Sequence, residues 1–366
     1  MNASTSPQNV EIIKCQPKAP LVETPNPKFG TVFSPHMLKM DISTSDFSNI
    51  RAEIKPYDRE PMYPSCIAIH YGQSIFEGMK AFRQKDGSVG IFRLDLHAKR
   101  FRRSCQLMSM TEIPEDVFTQ CLLEYVRFEK DSVPSLPDHA LYLRPVLFGS
   151  DPQIKMGRSA TYSFYILASV AGNYFHGRSS EGAKVLVNRE FVRAYPGGLG
   201  EAKTAANYAA SLGPLSYAAS LGCDQLLFLS AVDHDHVDEM GGMNFFVVRD
   251  GELVTPPLLG TILDGVTRRS ILEIAKTLGM TVKEEPLSFS QLMKDIDSGK
   301  VTECFACGTA AVVQPLSELL YQDKRGGETS PIPLPKGYPV ALRLREQLQK
   351  IQRGEHEAPG AWLSRV

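Results

Sequence analysis

The chain has 366 residues, 43% of them hydrophobic, and a formal net charge of −1. This length predicts about two domains. The balanced charge gives no excess of positive charge of the kind that binds nucleic acids or anionic membranes. No apolar run is long enough to cross a bilayer, and the polar start of the chain lacks a signal-peptide pattern, so we expect a cytoplasmic protein. Its seven scattered cysteines fit reduced thiols better than a disulfide framework.

The first half of the chain predicts a small α/β domain that follows an extended arm. Residues 1–27 are rich in proline, serine and asparagine and indicate the arm. Residues 28–176 form the predicted smaller domain. Its predicted strands cover residues 66–72, 90–93, 140–147 and 161–170, and its predicted helices cover 96–108 and 115–128.

The second half predicts a larger domain of the same class. Glycine content and polarity rise before it, which indicates a linker at 177–183, and the domain then takes residues 184–366. Its predicted strands cover residues 184–192, 225–230, 244–248, 252–255 and 301–306, and its predicted helices cover 205–221, 267–278 and 339–352. The pattern therefore predicts two α/β (α+β) domains with mixed sheets.

A glycine-rich segment at 197–208 presents one lysine among small residues. Glycine lets the backbone turn tightly, and a lysine screened from water by such neighbours favours the neutral amine that attacks an aldehyde. Lys203 is therefore a candidate Schiff-base residue. A phosphate-binding P-loop is excluded because Ala202 stands where that motif needs glycine. An ordinary helix-capping turn with a solvated Lys203 stays open on local sequence alone.

Four further features suit pyridoxal 5′-phosphate, which needs an imine-forming lysine, an acid at its ring nitrogen and a phosphate cup. Of the adjacent acids Asp238 and Glu239, Glu239 is preferred because it lies directly against a glycine turn, although it could be a solvated loop residue. Residues 265–268 begin a predicted helix and 307–310 form a similar turn, both suited to phosphate. Arg100 offers a fixed charge. Alone, Thr267 could simply cap the helix and Arg100 could lie on a solvated face.

Together these segments resemble the branched-chain amino acid aminotransferases, which have the D-alanine aminotransferase-like fold, type IV among pyridoxal phosphate enzymes. The motifs occur in the order of that family, from about residue 28 to the end of the chain. The segments that carry the resemblance are 71–82, 142–145, 201–203 with 207–208, 239–244, 265–268 and 308–310.

The resemblance implies cofactor roles for named residues. Lys203 is similar to the lysine that binds the cofactor covalently and moves the proton at the substrate α-carbon. Glu239 is similar to the acid at the pyridine nitrogen, and Tyr208 to the tyrosine that binds the phenolic oxygen. The residues that match the phosphate cup are Arg100, Val266, Thr267 and Thr309.

The resemblance also implies a substrate pocket and a homodimer in which each subunit helps to close the site of the other. The backbone N–H groups of Thr309 and Ala310 match those that bind the substrate carboxylate. Arg144, together with Tyr71, would receive the distal carboxylate of glutamate. The residues that match the largely aromatic pocket are Phe29, Tyr71, Phe76, Tyr142 and Tyr174.

Three positions depart from family patterns or imitate other sites. Cys304 and Cys307 do not occupy the places of a redox pair found in some relatives, and in a strand they would point to opposite faces. Gly242 stands where some relatives have threonine. Residues 233–236 imitate a metal cluster but are better explained as an acidic loop, so we expect no metal site.

The expected activity is transamination of leucine, isoleucine and valine with 2-oxoglutarate, giving branched-chain 2-oxo acids and L-glutamate by a ping-pong mechanism. Two alternatives share the fold, a D-amino acid aminotransferase and an aminodeoxychorismate lyase. The Tyr142–Arg144 pair, with Phe76 and its neighbours, argues for the branched-chain type. A non-catalytic binding protein is the alternative from another class, and retention of both Lys203 and Glu239 argues against it.

Overall fold

The computed structural model describes residues 10–21, 27–43, 45–47, 50–172 and 181–366. Among these residues, the first part of the chain contains eight strands, three α-helices and a short 3-10 helix at Lys130–Ser132. The elements there are β1 (Glu11–Lys14), β2 (His36–Ile42), β3 (Arg51–Pro56), α1 (Ile67–Tyr71), β4 (Ser74–Phe76), β5 (Met79–Arg83), β6 (Val89–Phe92), α2 (Leu94–Leu107), α3 (Glu115–Phe128), β7 (Ala140–Gly149) and β8 (Tyr162–Ala171).

The second part of the chain contains ten strands and four helices among the described residues. These elements are β9 (Ala183–Asn188), α4 (Ala205–Ser220), β10 (Gln225–Leu229), β11 (Val237–Met240), β12 (Asn244–Arg249), β13 (Glu252–Thr255), α5 (Val266–Thr277), β14 (Val282–Glu284), α6 (Phe289–Asp297), β15 (Val301–Gly308), β16 (Val312–Gln322), β17 (Thr329–Pro333), α7 (Pro339–Gln352) and β18 (Leu363–Arg365).

The chain divides into two compact units. The first unit takes the described part of Met1–Tyr174 together with two later segments, Ala202–Ala206 and Gln352–Val366. The second unit takes the described part of Phe175–Glu201 and then Asn207–Ile351. The main division falls close to the predicted linker at 177–183, of which residues 177–180 lie outside the described part of the chain.

The first unit is built on one sheet with the order β1-β3-β2-β8-β7-β5-β6-β18, and β4 pairs beside this path with β7. Its long central pair is β7 with β8, antiparallel from Ala140 opposite Ala171 to Gly149 opposite Tyr162. At the N-terminal edge β1 pairs in parallel with β3, so residues 11–14 of the predicted arm join the sheet.

Helix α3 shows why this part of the sequence folds as it does. Its apolar residues recur at helical spacing, and six of them are buried: Val117, Phe118, Cys121, Leu122, Tyr125 and Val126. Glu115 and Asp116 lie in the first turn, where negative charge favours the helix dipole. The ring of Phe118 lies 4.7 Å from that of Phe101 on α2, which ties both helices into one core.

The second unit is built on a sheet with the order β11-β10-β9-β16-β15-β12-β13-β14, and β17 pairs with β16. Strand β9 runs parallel to both β10 and β16, whereas β15 is antiparallel to β12 and β16. The sheet is therefore mixed, which confirms the predicted fold class.

The predicted strand at residues 66–72 is wrong, because Ile67–Tyr71 is a short helix. Gly72 ends it in the left-handed conformation, with φ of 65°, and its N–H donates to the carbonyl of Ala68 at 3.0 Å. Within this helix Ile67 alone is buried, so the alternating apolar residues do not form one face of a strand. Among the described residues, no helix is long and apolar enough to span a membrane.

Candidate active site

Lys203 is held by its backbone in the first unit. Its N–H donates to Ser104 Oγ at 3.0 Å, and its carbonyl accepts from the N–H of Phe76 at 3.0 Å. The next residue, Thr204, bridges to Ile75, and its hydroxyl donates to the carbonyl of Ser74 at 2.8 Å. The segment therefore extends the edge of β4, and the half-buried side chain projects from a fixed backbone.

An aromatic wall lies beside this lysine. Lys203 Nζ is 4.9 Å from the centre of the Phe76 ring, and the guanidinium carbon of Arg144 is 4.6 Å from the same ring. Arg144 Nη2 donates to the hydroxyl of Tyr142 at 2.9 Å. Phe29 packs edge-on against Tyr142, with ring centres 4.9 Å apart. The first unit thus brings Lys203 and four predicted pocket residues together.

The Tyr142 hydroxyl needs the glycine at position 78. It fills the space that a Cβ on Gly78 would occupy, so any side chain there displaces the tyrosine. The glycine is therefore required by packing rather than by an unusual backbone angle.

Arg100 lies on α2 and is engaged by a buried carboxylate. Its Nε and Nη2 donate to the two oxygens of Glu77 at 2.7 and 2.8 Å, and Glu77 is 0% exposed. Burial alone would raise the pKa of Glu77, but the Arg100 charge and the hydrogen bonds from Arg100 and His97 hold this pKa well below its usual range. Burial lowers the pKa of His97, so this residue is a neutral imidazole that donates from Nδ1 to Glu77 at 2.7 Å.

Two further contacts are predicted in the first half of the chain, Tyr71 and Tyr174. Tyr71 is exposed and its hydroxyl donates to the carbonyl of Ile154 at 2.5 Å. Tyr174 lies outside the described residues.

In the second unit Glu239 is buried, 3% exposed, and is held from several directions. Its Oε1 pairs with Arg193 Nε at 2.7 Å and accepts from the N–H of Leu263 at 3.1 Å. Its Oε2 accepts from the side-chain amide of Asn244 at 2.8 Å. Hydrogen bonds of this kind favour the ionised form of a carboxyl group. The acid is therefore fixed in position at the end of β11.

The start of helix α5 lies next to this acid. Gly265 is its N-cap and makes no side-chain capping bond, and the first turn contains no acidic residue. Val266 and Thr267 in that turn are buried. An uncapped first turn with a positive dipole end and no acidic side chain is suited to an anion such as phosphate.

The turn between β15 and β16 carries Thr309 and Ala310. It packs against the β11–β12 turn, because a Cβ on Gly308 would meet the carbonyl of Gly242 at 3.2 Å. A Cβ on Gly242 would in turn lie 3.9 Å from the Tyr208 ring. The second unit therefore brings Tyr208, Glu239 and both predicted anion-binding turns into one neighbourhood.

The sequence does not predict the residues that bond to the candidate cofactor-binding side chains Glu239 and Arg100. Arg193 pairs with Glu239, which is far from it along the chain, and no local pattern indicates this contact. Glu77 and Asn244 stand inside segments that carry the family resemblance, but the sequence assigns them no role of their own. A carboxylate within an otherwise apolar motif is the available signal for Glu77.

Cys304 and Cys307 are free thiols buried in β15. Burial raises the pKa of Cys304 to about 12, and it raises the pKa of Cys307 further, so both thiols are poor nucleophiles. In the acidic loop, Asp233 pairs with His236 at 2.6 Å. Across the described part of the chain, no three His, Cys, Asp or Glu side chains are grouped to hold a metal ion.

Known proteins resemble this chain in both sequence and structure. Residues 74–319 match the family described as amino-transferase class IV. The branched-chain-amino-acid aminotransferase of Mycolicibacterium smegmatis is 39% identical over 348 residues, which cover 93% of this chain and 92% of the relative. The chain belongs to the class IV aminotransferase family.

Solved structures of this aminotransferase family share the fold. The branched-chain aminotransferase of Thermoproteus uzoniensis with norvaline aligns with a TM-score of 0.72 and 26% identity, over 90% of this chain and 99% of that one. The branched-chain amino acid aminotransferase of Escherichia coli aligns with a TM-score of 0.69 and 26% identity, over 85% of this chain and 96% of that one. A further branched-chain amino acid aminotransferase, complexed with N-(5′-phosphopyridoxyl)-L-glutamate, aligns with a TM-score of 0.69 and 27% identity, over 90% and 97%. These names favour the branched-chain activity over the predicted alternatives.

Proposed function

We propose that this aminotransferase moves the amino group of leucine, isoleucine or valine to 2-oxoglutarate, with pyridoxal 5′-phosphate as cofactor and by a ping-pong mechanism. The observation that carries the proposal is the Phe76 ring, which lies beside both the Lys203 amine and the Arg144 guanidinium. An apolar wall suits a branched aliphatic chain, and a cation at its edge suits the distal carboxylate of the second substrate. One pocket can therefore accept both substrates in turn.

The donor set of the second unit fits this cofactor. Glu239 is a buried carboxylate held by three donors, which suits a protonated pyridine nitrogen. Beside it, the first turn of α5 has the character of a phosphate site. Asn244 links the two features, since its amide donates to Glu239 while its oxygen packs against Gly265.

Bound pyridoxal phosphate supplies the electron sink that makes the substrate α-proton acidic. Lys203 Nζ would bond the cofactor and then carry that proton, and Glu239 would hold a proton at the ring nitrogen. Tyr208 would donate to the phenolic oxygen. The N–H groups of Thr309 and Ala310 would bind the substrate α-carboxylate. The phosphate would be held by Arg100, Val266, Thr267 and Thr309.

We also propose that the chain works as a homodimer. Several large apolar side chains are exposed in the part of the first unit that contains Tyr71, and exposed apolar surface marks sites of protein–protein interaction. A second copy that covers this surface would place Tyr71 and the segment near Ile154 at an interface. The exposed apolar residues of this surface are Met62, Tyr63, Ile69, Tyr71, Ile154 and Met156. Light scattering that gives a monomeric mass at micromolar concentration contradicts this part of the proposal.

The test of the activity is the absorbance spectrum of the chain after incubation with pyridoxal phosphate. L-Leucine alone should remove the yellow band, 2-oxoglutarate should restore it, and D-alanine should leave it unchanged. Lys203→Ala should abolish turnover, whereas Lys184→Ala, at a surface ion pair, should keep it. A band that responds to D-alanine and ignores L-leucine would contradict the proposal, as would normal turnover by Lys203→Ala.

A further inference from the structure

The Glu77 carboxylate is the centre of a buried polar cluster in the first unit. It accepts from Arg100 Nε and Nη2 at 2.7 and 2.8 Å, from His97 Nδ1 at 2.7 Å and from the N–H of Gly78 at 3.2 Å. His97 and Arg100 lie one helical turn apart on α2, so they present one face of that helix to the carboxylate. These donors thus converge on one residue between β4 and β5.

This pairing fixes the direction of the Arg100 guanidinium. Two parallel N–H···O bonds to one carboxylate set both the plane and the rotation of the group, which a single contact does not. The backbone that carries this carboxylate is itself held, because the N–H of Glu77 donates to the carbonyl of Pro145 at 2.8 Å. Arg100 is therefore held against the sheet rather than left on a mobile side chain.

Stability alone is a weak reason for such a pair. A buried ion pair is often no more stabilising than apolar residues of the same volume, because both charges lose their water. Here the pair also lies close to Lys203, whose charge acts on His97 and whose carbonyl is bonded by the N–H of Phe76, the neighbour of Glu77. The pair thus orients a cation next to the lysine of the active site.

We propose that Glu77 is a positioning residue that aims Arg100 at the phosphate of the cofactor. This inference rests on the proposed function. Glu77 touches neither substrate nor cofactor in this role and acts only through the guanidinium. The role predicts a defect that depends on the phosphate group of the ligand, which a general loss of packing does not predict.

The experiment compares pyridoxal phosphate with pyridoxal, which lacks the phosphate. Both are titrated into the cofactor-free chain, and dissociation constants are measured by absorbance. Glu77→Gln keeps the side-chain shape and removes the charge, so we expect about 10- to 100-fold weaker binding of pyridoxal phosphate, the effect of a lost charge-assisted hydrogen bond. Pyridoxal binding should change by less than about twofold.

Two further variants sharpen the test. Arg100→Gln should give the same phosphate-selective loss, and the double variant should lose little more, because both residues act as one unit. Arg102→Gln removes an exposed ion pair of the same helix with Glu112 and is the matched control, with wild-type affinity for both ligands expected. If Glu77→Gln does not fold by circular dichroism, Glu77→Asp replaces it and should show a smaller selective loss.

The outcomes separate this inference from the proposed function. Equal losses for the two ligands, or no loss, would overturn the role of Glu77 and leave the aminotransferase proposal standing. A wild-type chain that binds no pyridoxal phosphate would overturn both.

Discussion

The side-chain oxygen of Asn244 fills the space in which a Cβ on Gly265 would lie. The amide of the same Asn244 donates to Glu239 at 2.8 Å and to the carbonyl of Leu263 at 3.0 Å. The glycine that begins α5 is therefore required by the residue that holds the buried acid. The first turn of α5 and the buried Glu239, which we propose to hold the cofactor phosphate and ring nitrogen, therefore depend on one contact.

Gly265→Ala should consequently damage both features. The new methyl group displaces Asn244 and leaves a buried carboxylate oxygen without that donor, at a cost of about 1–3 kcal/mol. Urea unfolding measures the stability, and cofactor titration measures the site. Gly157 is the matched control, since it is exposed, has open space at its Cβ position and needs no positive φ, so Gly157→Ala should change the stability by less than about 0.5 kcal/mol. Unchanged stability and cofactor affinity in Gly265→Ala would refute the dependence.

Arg193→Met tests the pairing of Glu239. The substitution leaves a buried carboxylate without its cation, and Arg193 also donates to the carbonyls of Gly200 and Thr261, so we expect about 3–5 kcal/mol of destabilisation. Arg269 forms a more exposed pair with Asp264, and Arg269→Met should cost less than about 1 kcal/mol. Similar unfolding midpoints for the two variants would show that the buried pair contributes no more to the free energy of unfolding than the exposed pair does.

Arg144→Met should separate the two substrates. The guanidinium is expected to bind the distal carboxylate of glutamate and 2-oxoglutarate, whereas leucine carries no such group. The KM for 2-oxoglutarate should rise about 10-fold or more, and the KM for leucine should change little. Initial-rate kinetics with each substrate varied in turn measure this. A parallel rise for both substrates would contradict the assignment.

His97 should make stability depend on pH. Burial and the nearby charges of Arg100 and Lys203 lower the pKa of His97 from its ordinary 6.5, despite the opposite effect of Glu77. The unfolded chain therefore binds a proton below about pH 6.5 that the folded chain does not bind, so stability falls as the pH falls through that range. The free energy of unfolding of His97→Gln should fall less steeply between about pH 7.5 and 5.5. The exposed His70 provides the control, and His70→Gln should follow the wild-type slope.

Local patterns predict most of the fold. Helix α3 is predictable because its apolar residues recur at helical spacing, and the hairpin at β12 and β13 because Asp250 and Gly251 favour its turn. The prediction at 66–72 fails because the pattern is too short to separate a strand from one helical turn. There the Gly72 cap and the burial of Ile67 alone decide the conformation.

The site is predictable where chemistry concentrates in short motifs, and less so where it depends on distant pairs. Lys203 and Glu239 stand out beside glycine-rich turns. Arg193 does not, since its role exists only when the chain brings it next to Glu239. The ion pair of Arg100 with Glu77 likewise depends on the tertiary structure, because 23 positions separate the two residues along the chain, so local sequence does not predict it.

The first unit is formed by segments that lie far apart along the chain, and this has a consequence for synthesis of the protein. Its sheet includes β18, which pairs with β6, and its compact body includes Ala202–Ala206 and Gln352–Val366. A nascent chain therefore begins this unit first and completes it only after the residues of the second unit have left the ribosome. Until then the edge of β6 has no β18 to pair with. An unpaired strand edge beside apolar residues is prone to aggregation, so this edge needs protection during synthesis for longer than the rest of the sheet.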